Sequence, residues 1–441
     1  MVTAADSTPA TLVPGRQTPR VRVLLYTVLT LLVIGFSTTA YWWHSGLRSA
    51  QDAMARGDLM ETRNAAERYL RIAPGNVAAR KLAGDAYLQD NSLDPVEAAD
   101  QAIRHYSKIP DNSDLGAVAR SSEGRAAFLV RQEPSRAERL FLRAIELNPD
   151  QFDSHYLLWQ LYNMTERYFE SEPQFREAYR LCPVEERAFR LREWYSSQFT
   201  PLSACSQLDL MMGFREESEL PSEECTLRRL SAFLEYEPHE PNTTAAVAQW
   251  HLRNRSRESA LEVLTALPNR EQAMQSSFFV ASLIETLIEV GQMERAGTEF
   301  AQWKSPAQGY QYFRIAGIHA QEVDGDMDRA TKLLSQAVQT WPGPSDWPLM
   351  NRLSRCLALQ GQREESQRMI LEAKRVEGLT DVKVHQKIRQ ALGQLEDPDV
   401  LEEVVRFYES FHRDWEVAAW QEVISNLRKN QNSKHAFPPK K

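Results

Sequence analysis

The stretch RAERLFLRAIELNPDQ, Arg136 to Gln151, decides the fold. Ala137, Phe141 and Ala144 stand at i, i+4 and i+7, one stripe of a helix, and Pro149 stops it. Thirty-four residues after Phe141, Ala144 and Pro149 come Phe175, Ala178 and Pro183. Between the two sets lies HYLLWQLY, which puts Leu158 and Tyr162 on the inner face of another helix. Small Ala where helices cross, a bulky ring beside it and a terminating Pro are what a stacked helical hairpin needs. One hairpin cannot bury its apolar face alone, so the unit must recur.

It recurs elsewhere. VGQMERA (Val290–Ala296) returns as DGDMDRA (Asp324–Ala330) 34 residues later, and as QGQREES (Gln360–Ser366) after 36 more. Each has Gly in the tight turn, then polar residues, then a small residue opening an inner stripe. The stripes continue through Phe300 and Trp303, Leu334 and Ala337, and Ile370 and Ala373. Gly84 and Tyr87 follow Pro74, and Ala98, Ala102 and Pro110 close that unit after an insertion at Leu93–Pro95. RGDLMET (Arg56–Thr62) reads as the same turn in the first unit.

These residues resemble the tetratricopeptide repeat family, whose 34-residue unit has a Leu-Gly…Tyr first helix and an Ala…Phe…Ala…Pro second helix. The resemblance covers most of Gly46 to Val376. It implies an all-α fold: a right-handed α-solenoid of antiparallel helix pairs. Most Trp-x2-Leu-Gly signatures are missing, and Trp159 stands where the family prefers Gly. The expected organisation is a disordered tail at 1–20, a transmembrane helix at 21–43 and a first array over 46–195. A divergent insertion at 196–225, read as a long loop or irregular hairpin, separates it from a second array over 226–376. A helical cap at 377–428, closing the open end, and a disordered tail at 429–441 complete the chain.

VLLYTVLTLLVIGFSTTAYWW, Val23 to Trp43, holds no charge over 21 positions. As a helix it would span about 32 Å, enough for a hydrocarbon core. Arg16, Arg20 and Arg22 precede it, and Tyr41, Trp42 and Trp43 close it. The expectation is a single-pass membrane protein that meets the lipid bilayer through residues 21–43, with a cytoplasmic N-terminus and the repeats on the far side. The alternative is a secretory signal cut near Ala40.

Net charge of -8 argues against a nucleic-acid surface. The cysteines Cys182, Cys205, Cys225 and Cys356 form no metal-ligand pattern. Cys205 and Cys225 could bridge in an oxidising compartment, the alternative being free, partly buried thiols. GxGxxG, the P-loop, GxSxG and HExxH are all absent from the sequence. DGDMD (Asp324–Asp328) has Arg329 where a calcium loop would want Gly, so it reads as a solvated turn. No catalysis, cofactor, metal or small-molecule substrate is expected.

The family resemblance implies a concave groove lined by first helices. In that register Lys81, Tyr156, Gln160, Asn163, Arg190 and Trp194 face it. For Tyr156 and Trp194, packing between hairpins is the equal alternative. Asp85 stands where a Lys/Asn carboxylate-gripping set would want Asn, so that activity is not carried over. The resulting expectation is a membrane-anchored scaffold that binds partner proteins through this groove. Self-assembly, or a role as a non-catalytic subunit of a membrane enzyme complex, is the alternative.

Overall fold

The computed structural model describes residues 46–303 and 309–436, and all regular structure among them is helical. The described residues form two compact units divided after Asp94. The first contains α1 (46–55), α2 (Leu59–Ile72) and α3 (Val77–Gln89). Its small core is Ala50, Ala65, Ala66, Tyr69, Leu70, Ala79 and Ala83. Asp58 and Asn76 cap α2 and α3, accepting from the amides of Glu61 and Ala79 at 2.9 and 2.8 Å.

The second unit opens with α4 (Pro95–Tyr106). The hairpins α5 (Gly116–Leu129) with α6 (Pro134–Leu147), and α7 (Phe152–Met164) with α8 (Tyr168–Leu181), follow. Then come α9 (Arg187–Phe199), α10 (Pro201–Met211) and α11 (Glu223–Tyr236). Next are α12 (Pro241–Arg253) with α13 (Arg257–Thr265), the short α14 (Arg270–Ala273), and α15 (Ser277–Glu289) with α16 (Met293–Ala301). The pairs α17 (Tyr310–Glu322) with α18 (Met327–Gln339), and α19 (Trp347–Leu359) with α20 (Arg363–Leu379), complete the regular run. Last are α21 (Val382–Leu392), α22 (Pro398–Ser410) and α23 (Asp414–Ala436).

Two local devices recur in the hairpins. One is a left-handed residue in the turn. Gly291 and Gly325 supply it at φ 79° and 66°, where a side chain would be strained. The other is close approach of the two helices. A Cβ on Gly124 would lie 2.7 Å from the Phe141 ring, and one on Gly317 2.6 Å from Leu334. The stripes read from sequence are the core: Ala137, Phe141, Ala144, Ala330, Leu334 and Ala337 are all 0% exposed.

The second unit is not an open coil of repeats. The α10–α12 segment lies along the turn edge of α5–α8. Glu237, just past α11, accepts from the amides of Ser135 and Arg136 at 2.6 and 2.9 Å. It thereby caps α6, whose own N-cap residue Glu133 makes no such bond. Arg229 on α11 donates to the Met164 carbonyl at the end of α7 (2.9 Å) and pairs with Asp209 on α10 at 2.6 Å. Arg253 at the end of α12 holds Glu166, in the α7–α8 turn, through two bonds of 2.7 Å. At the other end of the run, α20–α23 share one core with α7–α9. The array therefore closes on its own middle.

Several expectations change. The segment 196–225 is not one long loop: α10 occupies Pro201–Met211 within it, and Cys205, Asp209 and Met212 are buried along one stripe. Asp209 is tolerated inside because Arg229 faces it; burial pushes its carboxyl above the usual range, and the guanidinium works against that shift. Of the two readings for Cys205 and Cys225, the structure has the free thiols, both buried, and burial pushes Cys205 up to about 12. Helix α23 runs on to Ala436, past the expected start of the tail. The C-terminal helices cover α9 rather than an open end.

The membrane location is also corrected: among the described residues no helix is long and apolar enough to cross a membrane. Residues 21–43, on which that expectation and the cleaved-signal alternative both rest, lie outside the described residues, as do 1–20 and 437–441.

Candidate functional site

Closure of the array buries half of the expected groove. Asn163 and Trp194 are each 1% exposed and Gln160 is 7%, so these three do not line a groove. Asn163 and Gln160 lie toward the end of α7 that α10 and α11 cover. Trp194 stacks on Phe175 at 4.6 Å and donates its indole N–H to Glu416 on α23 at 3.0 Å. Lys81 belongs to the first unit, where Asp85, one turn on, holds its ammonium at 2.6 Å.

The structure does bring Tyr156 and Arg190 together, and adds residues that the sequence reading missed. Tyr156 and Phe152 stack on α7 with centroids 5.7 Å apart. The Arg190 guanidinium on α9 sits 4.6 Å from the Tyr156 ring, 5.6 Å from Phe152 and 5.3 Å from Phe189. Arg192 lies 4.5 Å from the same Phe189 ring. Glu193 locks the group, accepting from the Tyr156 hydroxyl at 3.0 Å and from Arg190 at 2.9 Å, and Glu186 takes the other arm of Arg190 at 2.7 Å.

Burial raises the Glu193 carboxyl against the pull of Arg190, and burial together with the Glu193 charge raises the Tyr156 phenol. The cluster is a fixed platform of rings and guanidinium. Its outer edge is open: Phe189 is 40% exposed and Val184 beside it is 55%. Arg192 makes no ion pair among the described residues and lines a cleft of ≈ 670 Å³ with Glu396, Asp397 and Asp399. The readable signal was FRLR at Phe189–Arg192, an aromatic flanked by arginines in the register of a first helix.

A second cavity, of ≈ 360 Å³, lies where α12, α15 and α17 begin, between Phe169, Phe278, Tyr310 and Trp341. Its one cation, Arg167, is held by Glu138 and by Glu170, each at 2.6 Å, and offers no free charge. Among the described residues no group of three or more metal-ligating side chains comes together.

No family model matches the chain, and no curated protein matches it. Solved helical structures are similar to it in fold. The APC/C hetero-tetramer Cut9–Hcn1 matches at 12% identity over 87% of this chain and 95% of that one, with a TM-score of 0.36. A tetratricopeptide repeat protein from Parabacteroides merdae ATCC 43184 matches at 12% identity over 76% and 99%, with a TM-score of 0.29. The TPR domain of P58(IPK) matches at 12% identity over 88% and 99%, with a TM-score of 0.25. Overlays this loose carry no argument of their own. The hairpin repeat stands on the chain's own turns, stripes and close approaches.

Proposed function

We propose that this chain is a helical-repeat adaptor that binds a partner protein on the ring-and-arginine platform of α7 and α9, without chemistry of its own. The observation that carries the reading is Arg190 set among three aromatic rings with Phe189 open beside it. Large rigid rings and arginines dominate binding energy at protein interfaces because they lose little freedom on contact and bury much area. Arg192 adds a cation that has no ion pair to break before it meets a carboxylate on the partner. Glu186 and Glu193 hold Arg190 in place, so the platform is formed before binding.

The test compares two surface variants in affinity purification of the full chain from its native cells, with bound proteins identified by mass spectrometry. Phe189→Ser with Arg192→Glu changes the platform. Leu359→Ser changes an equally open apolar residue elsewhere, 70% exposed. A partner kept by wild type and Leu359→Ser and weakened about 30-fold by the platform variant, an effect of roughly 2 kcal/mol, supports the reading. Equal retention on all three sinks it.

A further inference from the structure

The face of α9 that carries Leu191, Trp194 and Tyr195 is covered by the chain's own C-terminal helices, and the cover has an ionisable seam. His385 on α21 is 8% exposed, and its Nδ1 shares a hydrogen bond of 2.6 Å with the Tyr195 hydroxyl on α9. Three rings surround the imidazole: Phe199 at 5.5 Å, Phe407 on α22 at 5.9 Å and Tyr195 at 6.0 Å. Elsewhere in the same cover, Glu416 on α23 is 0% exposed and accepts from Trp194 on α9. Arg413 neutralises Glu416, pairs with Glu172 on α8 at 3.0 Å and lies over Trp341 at 4.1 Å. Tyr408 on α22 donates to Gln198 on α9 at 3.1 Å.

We propose that α21–α23 form an acid-sensitive latch on α9, with His385 as its trigger. A protonated imidazole in this ring-lined seat exchanges water for hydrocarbon with no carboxylate bonded to it. The charged groups around it do not rescue it. Arg389, one turn on along α21, repels a second positive charge, while Asp381 at the start of α21 attracts it more weakly than burial and Arg389 oppose it. From α9 the facing group is the Tyr195 phenol. The charge that α22 offers α21 is Glu403, committed to Lys387 at 2.9 Å. Protons can reach the ring, because a cleft of ≈ 400 Å³ between Gln198, Thr200, Thr380 and Arg389 leads to it.

Burial holds the His385 pKa below its ordinary 6.5 when the latch is closed. The open state therefore binds the proton more readily. Closure is favoured in full above about pH 6.5 and weakens as pH falls through that value toward the lowered closed-state pKa, by up to roughly tenfold per pH unit. Opening would expose Trp194, Tyr195 and Leu191, a buried apolar face of the helix that carries the platform.

Hydrogen exchange of the full chain at pH 7.5 and 5.5, corrected for the chemical exchange rate, tests the latch. Protection in α9 and α21–α23 should fall at the lower pH, by up to about tenfold, while α5–α6, which contain no histidine, keep theirs. His385→Gln should remove most of the pH response. Unchanged protection, or a full response in His385→Gln, overturns the proposal. Should that variant not fold, NMR titration of histidine labelled at Cε1 in the wild-type chain decides. A His385 midpoint below 6.5 supports the latch, and one at or above 6.5 refutes it.

Discussion

Hairpin α17–α18 and the pair α9–α10 solve packing differently. In α17–α18, Gly317 lets Leu334 approach, Gly325 turns the chain, and Asp326 caps the second helix through the Arg329 amide at 3.0 Å. Every device there is local and recurs elsewhere. In α9–α10 a single residue, Thr200, separates the helices, and Pro201 opens the second. Helix α9 then lies against α8 and α23, while α10 turns to the edge of the first array. What fixes α9 and α10 are single long-range polar bonds, such as Trp194 to Glu416 and Asp209 to Arg229. Repeated signals thus make hairpins, and unrepeated buried polar pairs decide how arrays dock.

The sharpest way to break that contrast is to remove one member of each kind of ion pair. Asp209→Ala leaves Arg229, 2% exposed, with its charge uncompensated inside the protein. It should cost about 3–5 kcal/mol. Arg329→Ala removes a turn pair with Asp324 whose side chains are 46% and 33% exposed, and should cost less than about 1 kcal/mol. Urea unfolding followed by circular dichroism reads both. If the two variants lose similar stability, docking does not depend on the buried pair. Asp209→Leu with Arg229→Met should recover much of the loss, because the desolvation of both charges then disappears.

The same contrast explains what could be read in advance. Ala137, Phe141, Ala144, Phe175 and Ala178 announced themselves because they recur at a fixed step and are apolar, and all are buried. Helix α10 was hidden because Asp209 interrupts the stripe of Cys205 and Met212, and an acid inside a helix is read as solvent-facing unless its partner is known. That partner lies 20 residues away on another helix. A groove position for Asn163 and Trp194 requires that the array stay open; the burial of Trp194 matches the alternative of packing between hairpins. Closure of the array depends on Glu416, more than 200 residues from Trp194, which no periodicity marks. Tyr156 and Arg190 each stand among the groove candidates, with packing between hairpins the equal alternative for Tyr156, whereas Phe189 and Arg192 are signalled only by the FRLR string.

A smaller effect sharpens the local side of the comparison. Gly317→Ala places a methyl group 2.6 Å from Leu334 Cδ2 and 3.1 Å from the Leu334 backbone nitrogen. The side chain can yield but the backbone cannot. A loss of about 1–3 kcal/mol should follow, the range for overpacking in a close-packed interior. Gly378→Ala, in α20 with nothing within 4 Å, serves as the control and should be neutral or stabilising by up to about 1 kcal/mol. A gain at both positions would mean that helix propensity, not close approach, is being measured.

The smallest effect lies in the turns. Gln132, Glu166 and Arg255 adopt φ of 56°, 60° and 61°, the left-handed conformation that glycine supplies in VGQMERA and DGDMDRA. The 34-residue step from Gln132 to Glu166 is thus carried by backbone shape where residue identity has changed. An L-residue there bears roughly 1–2 kcal/mol of strain. Arg255 is the clean probe, since its side chain is exposed and makes no ion pair among the described residues. Arg255→Gly removes the strain but loosens the unfolded chain by roughly 0.4–1 kcal/mol. The net should be a gain of about 0.5 kcal/mol, whereas Gly325→Ala, with nothing within 4 Å of its Cβ, should lose about 1 kcal/mol from backbone strain alone. Opposite signs in thermal unfolding would show one turn shared by both sequences; the same sign would mean that the two turns are built differently.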